Sequence, residues 1–121
     1  MRKAPPIPSF MLRQTVLVRT CTGVDAWQNP VYSAQEVDHV CVQPSSKTVT
    51  VQNNTQMQCS TMVYIDTVRS SRIDMNAVER TSNDNGHRSQ IVFENIPRDV
   101  LSVDTLYNPD GTVHHWEVGL I

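Results

Sequence analysis

Two side chains of the metal-binding kind stand two residues apart, at His39 and Cys41. In a strand such a pair shares a face, and a third ligand would complete a zinc site. The close-spaced ligand pairs of structural zinc sites are missing, and cysteine is among the most buried residue types. The stronger reading therefore makes Cys41 a small buried residue and His39 an edge residue. His114 and His115 are adjacent, so a strand sends them to opposite faces and keeps them from sharing a metal. Carboxylates form no constellation: Asp99 and Asp104 bracket one candidate strand, and Glu94 and Asp110 sit near turns. General acid–base work needs paired groups in a cleft. Ser70 and Ser71 have no base at a spacing that suggests a triad. No phosphate loop, dinucleotide-binding glycine run or nucleophile elbow is present. These residues describe a chain that is not an enzyme and takes no cofactor or metal.

The formal net charge of −2 does not concentrate a surface on a polyanion. Five basic residues (Arg69, Arg72, Arg80, Arg88, Arg98) share the central stretch with six acids (Asp66, Asp74, Glu79, Asp84, Glu94, Asp99), which reads as a solvated, mixed surface. Three cysteines, Cys21, Cys41 and Cys59, argue against a complete intrachain disulfide framework and fit a reducing cytoplasm. Pro5, Pro6 and Pro8 interrupt any apolar run that would serve as a signal peptide, and no stretch approaches a membrane span. The expected protein is soluble, made without a secretion signal and without a membrane partner.

The elements that must carry these residues read as mostly β. Valine and threonine are abundant, and 121 residues suit one domain. Residues 1–12 form an extended, proline-rich arm whose apolar Ile7, Phe10 and Met11 pack either on the domain itself or on a neighbouring subunit. Residues 13–121 form a single β-barrel or sandwich. Strands are expected at Gln14–Cys21, Val37–Gln43, Cys59–Val68, Ile91–Phe93, Asp99–Tyr107 and Thr112–Leu120. Asn108-Pro109-Asp110-Gly111 supplies the turn of the clearest hairpin. Asp74–Arg80 suits one or two helical turns, and Ser82–Gly86 reads as a loop. Lys47–Met57 stands apart. After Lys47 no charge appears until Asp66, and the run Thr48, Val49, Thr50, Val51, Gln52, Asn53, Asn54, Thr55, Gln56 is rich in threonine and amides. It reads either as a polar surface hairpin or as a segment that pairs with identical copies, since uncharged amide-rich edges hydrogen-bond where charged ones repel.

Several pieces in order resemble a known family. Pro6-Ile7-Pro8-Ser9-Phe10-Met11-Leu12 with Thr15-Val16, then Asp25-Ala26-Trp27-Gln28-Asn29-Pro30-Val31-Tyr32, resemble the opening of the minor capsid protein family of siphovirus neck modules. Val40-Cys41-Val42-Gln43-Pro44, Met62-Val63-Tyr64-Ile65-Asp66 with Ser70, and His114-His115-Trp116-Glu117-Val118-Gly119-Leu120 continue the likeness to the end of the chain. Two departures lie in the middle. Thr67–Gln90 is longer than the family pattern, and Glu94-Asn95-Ile96-Pro97 replaces its glycine turn.

The resemblance implies a structural protein of the virion neck, assembled in the bacterial host cytoplasm. It implies a head-completion or stopper ring, six-fold, lying between portal-side adaptor proteins and tail-completion or tail-terminator proteins. A projecting loop, here about 44–58, would enter the channel and hold packaged double-stranded DNA. Candidate subunit contacts are Ile7, Phe10, Met11, His114 and Trp116. An adaptor or tail-completion subunit is the neighbouring expectation, and a small β-barrel binding module for nucleic acid or sugar is the expectation from another class.

Overall fold

The computed structural model describes residues 5–50 and 54–121. Its first strand, β1 (Gln14–Val24), shows the alternation that β-branched residues impose on a half-buried strand: Val16 and Val18 face in and Leu17 faces out. β1 turns back into β2 (Pro30–Pro44) through a tip built by Asp25. One oxygen of its carboxylate accepts from Trp27 N at 2.8 Å and Asn29 N at 2.9 Å, which closes the turn and leaves the Trp27 ring in solvent. Both strands run further towards this tip than the sequence reading placed them. The polar residues of β2 before Val37 show no strand signal of their own and are held by pairing with β1.

β2 pairs with β5 (Thr61–Asp66), β5 with β8 (Val113–Leu120), β8 with β7 (Ile96–Tyr107), and β7 with β6 (Gln90–Phe93). β6 returns to β1 through Leu17↔Val92 and its neighbours, which closes a six-stranded antiparallel barrel in the order β1-β2-β5-β8-β7-β6. Closure removes the sheet edges. The chain is thus a mostly β single domain, whose described residues add one short α-helix and one small extra hairpin, β3 (Thr48–Thr50) and β4 (Gln56–Gln58), to the barrel. Val16, Val18, Val37, Val40, Val63, Ile65, Ile91, Trp116, Val118 and Leu120 fill the interior.

The polar middle stretch contains helix α1 (Met75–Asp84). Asp74 caps it by accepting from Asn76 N and Ala77 N. Met75, Val78 and Ser82 make its buried stripe, and Met75 and Val78 join the barrel core. Ser82–Asp84 is therefore helical, where the residue types had suggested a loop. Ser82 is fully buried, and its hydroxyl accepts from Cys21 N at 3.0 Å, so a tertiary contact overrides the local turn preference. Gly86 ends the helix region with φ +77.

Two further departures have local causes. Pro97 lies inside β7 and not before it. There β6 is the paired neighbour and β8 pairs only from Val100 onward, so a missing N–H is tolerated. Glu94 and Asn95 form the two-residue β6–β7 turn with φ 51 and 63, the backbone that a glycine turn would otherwise supply.

Candidate functional site

The uncharged segment singled out in the sequence forms the β3–β4 hairpin, with Thr48↔Gln58, Val49↔Met57 and Thr50↔Gln56 in register. Val51, Gln52 and Asn53, three of the candidate channel residues, lie outside the described residues. Asn54 takes φ 58 on the return, and Asn54, Thr55 and Gln56 are exposed. The root is well defined. Cys59 N donates to Lys47 O at 2.8 Å, Ser45 N to Ser60 O at 3.0 Å, and the Gln58 amide to Ser46 O at 3.1 Å.

One face of this hairpin is anchored. Val49 is buried against Cys59, Met62 and Leu101, with Met57 and Tyr64 at the margin. That alternation explains the result: Val49 points to the barrel while Thr48 and Thr50 point away. The root therefore lies on the outer wall of the barrel, where Gly119 stands opposite Met62 and Ser102. A Cβ on Gly119 would meet Cys59 Sγ at 2.6 Å and Ser102 Oγ at 2.9 Å, so glycine at 119 lets the root sit flush. Lys47 Nζ lies 3.6 Å from Asp104 on β7, a half-exposed pair of small energetic weight. Burial pushes the Cys59 thiol up, with Lys47 opposing and Asp104 adding, which suits a packing role. Beside Thr50, a polar cleft of about 390 Å³ is lined by Glu79, Asn83, Arg88, Ser102 and Asp104. Burial and then the Asp104 carboxylate push the Glu79 carboxyl up.

The arm covers the other half of the same outer wall. Ile7 N donates to Asp66 Oδ1 at 3.1 Å, and the second oxygen of Asp66 accepts from Val68 N and Arg69 N, both at 2.9 Å. Asp66 is 1% exposed and anchors both the arm and the turn after β5. Ile7, Pro8 and Met11 line a cleft with Cys41, Tyr64 and His115. Of the two packing partners left open for the arm, the structure supplies the chain's own barrel. Phe10 is 68% exposed and Met11 42%, so the arm still shows apolar surface.

The structure bears on three other readings. Trp116 is a core residue, 6% exposed, and not the surface contact the sequence suggested, because its place in the β8 alternation turns it into the barrel. His39 and Cys41 do not share an environment: a bulge between β1 and β2 puts His39 at φ 58 and in solvent while Cys41 is buried. His114 and His115 were expected on opposite faces, yet their rings meet, with Nδ1 to Nδ1 at 2.7 Å. β8 begins at Val113, so His114 sits at the rim of the barrel, where its ring reaches its neighbour. His114 Nε2 lies 2.6 Å from Pro5 O, and His115 Nε2 lies 3.0 Å from Glu117 Oε2. Spacing along the chain gave no sign of Asp66 as an anchor; only its place at the end of an apolar strand marked it.

Compared with known proteins, the chain is matched by no family model and by no curated protein.

Proposed function

We propose that the chain is a subunit of the head-completion ring in the neck of a tailed phage, with the β3–β4 hairpin facing the channel. The observation that carries this reading is that β3 and β4 pair with each other and, among the described residues, with no further strand. Among the described residues neither outer edge pairs with another strand, and Thr48, Thr50, Asn54, Thr55, Gln56 and Gln58 beside them are exposed and uncharged. Ordinary domains guard such edges with charge or bulges. Identical unguarded edges arranged about a rotation axis can pair with one another and close a ring of contacts.

The buried root supports the same reading. A gate must be held at its base while its tip meets its neighbours, and Val49, Met57 and Cys59 hold this one on the barrel wall. In a six-fold ring the tips would obstruct the bore and retain double-stranded DNA. Adaptor proteins would contact the ring on the portal side and tail-completion proteins on the other. Many weak, identical contacts between tips would let the gate open cooperatively.

Charging the hairpin tests this. Phage carrying Asn54→Asp with Gln56→Glu should fill their heads and then lose the DNA, measured as empty heads by electron microscopy and as released DNA by nuclease sensitivity. Heads that keep their DNA and finish normally would remove the gate. Imaging of the neck that finds no density for this barrel would remove the virion role. Oligonucleotide binding by the purified chain with a steep salt dependence would point instead to a binding module.

A further inference from the structure

Three close contacts run in series from the arm into the barrel wall: Pro5 O to His114 Nε2, His114 Nδ1 to His115 Nδ1, and His115 Nε2 to Glu117 Oε2. Each is a hydrogen bond only if one proton lies between its two heavy atoms. The Pro5 carbonyl brings none, and two neutral imidazoles bring one each. Three contacts therefore need three protons where neutral rings facing a carboxylate supply two. Without the third, lone pairs face each other at one of the contacts: Pro5 O and His114 Nε2 at 2.6 Å, the two Nδ1 atoms at 2.7 Å, or His115 Nε2 and Glu117 Oε2 at 3.0 Å. With a fourth, two N–H groups do.

We infer that His114, His115 and Glu117 hold one shared extra proton, and that this proton latches the N-terminal arm to the barrel at Pro5. With it the unit is electrically neutral, one positive charge against the Glu117 carboxylate. The ring that gives way when the proton is lost, or when another is added, is His114. His115 is pinned, with only 15% of its side chain exposed and Glu117 on its far nitrogen, whereas the His114–Pro5 contact lies at the surface.

The other groups packed around the unit do not compete for this role. Asp66, opposite His115 on β5, is committed to three backbone N–H groups. Asp104, opposite Glu117 on β7, faces Lys47. Tyr64 stands opposite Glu117 on β5. Cys41 on β2 shares the cleft with His115, and burial pushes its thiol up. Residues 5–12 of the arm bring no charged side chain. Docking of the arm should thus pass through a maximum with pH, falling on both sides, unlike a single histidine switch, which falls on one.

Nuclear magnetic resonance on the full chain tests this with two readouts, the imidazole nitrogens and the Ile7 amide, whose position reports the bond to Asp66. Across the range from about pH 4 to 9, where histidine switches work, the docked Ile7 signal should coincide with one imidazolium-type ring in the pair. It should be lost at both ends. In Glu117→Gln the side-chain amide can supply the missing proton to His115 Nε2, so two neutral rings satisfy all three contacts and docking should lose its alkaline limit. His114→Gln, which keeps a donor for Pro5 and an acceptor for His115 but has no ring nitrogen to take up a further proton, should keep the alkaline limit and lose the acid one. In the unaltered chain, two neutral rings, one in the Nδ1–H form, beside a docked Ile7 amide would overturn the proposal. So would docking that is flat with pH in the unaltered chain.

Discussion

Asp66 is the residue on which most depends outside the core. Its buried carboxylate satisfies Ile7 N, Val68 N and Arg69 N together, so a single side chain ties the arm and the turn after β5 to the barrel. Asp66→Ala strands three donors and should cost about 2–4 kcal/mol, read from urea denaturation, with the arm becoming protease-sensitive. Glu79 makes the opposite case. Its carboxyl is pushed up by burial and by Asp104, so the folded chain holds that proton more tightly than the unfolded chain does. The resulting stability is present below the unfolded value near 4.5 and is lost as pH rises through the folded value. Glu79→Gln should therefore stabilise the chain slightly at neutral pH, by up to about 0.5 kcal/mol, and the difference should vanish in acid. A calorimetric series in pH for both chains measures it.

At the scale of elements, turns divide into those written in residue type and those imposed by pairing. Asn108–Gly111 was legible because proline and glycine fit the turn that Gly111 adopts at φ +88. The β6–β7 turn was not, since Glu94 and Asn95 are held left-handed by the strands on either side. Glu94→Asn should relieve the side chain that tolerates this backbone less well and stabilise the chain by about 0.5–1 kcal/mol, measured as a rise in Tm. Strands with inward valines, such as Val16 and Val18, were read correctly because alternation and burial agree. The ends of β1 and β2 were not, because residues such as Ser33, Gln35 and Glu36 become strand only through a partner. Ser82 was misread for a related reason: its hydroxyl prefers turns locally, but here it serves Cys21 N. In the candidate site, the hairpin was visible as an uncharged threonine and amide run. Its buried Val49 root was not, since nothing in the run says which face meets the barrel.

For the whole molecule, one wall of the barrel carries both appendages. The arm lies over Cys41, Tyr64 and His115, and the hairpin root lies over Met62 and Leu101, with Tyr64 touching both regions. At Gly119 the barrel wall and the hairpin root come close together. Gly119→Ala should unseat the root at a cost of about 1–3 kcal/mol, because Cys59 and Ser102 must both shift. Loss of protection at the Cys59 amide, followed by hydrogen exchange, would report the movement, while an unchanged root would show that the wall can yield. The barrel seam has a temporal consequence. β1 closes against β6 through Leu17 and Val92, and the arm reaches His114 on the last strand. Contacts so distant in sequence make for slow folding. On the ribosome, β1 and β2 emerge long before their closing partners, so the first hairpin waits with an open side until β6 to β8 arrive. The nascent chain is therefore most exposed to mispairing with its sister chains just before β6 to β8 emerge.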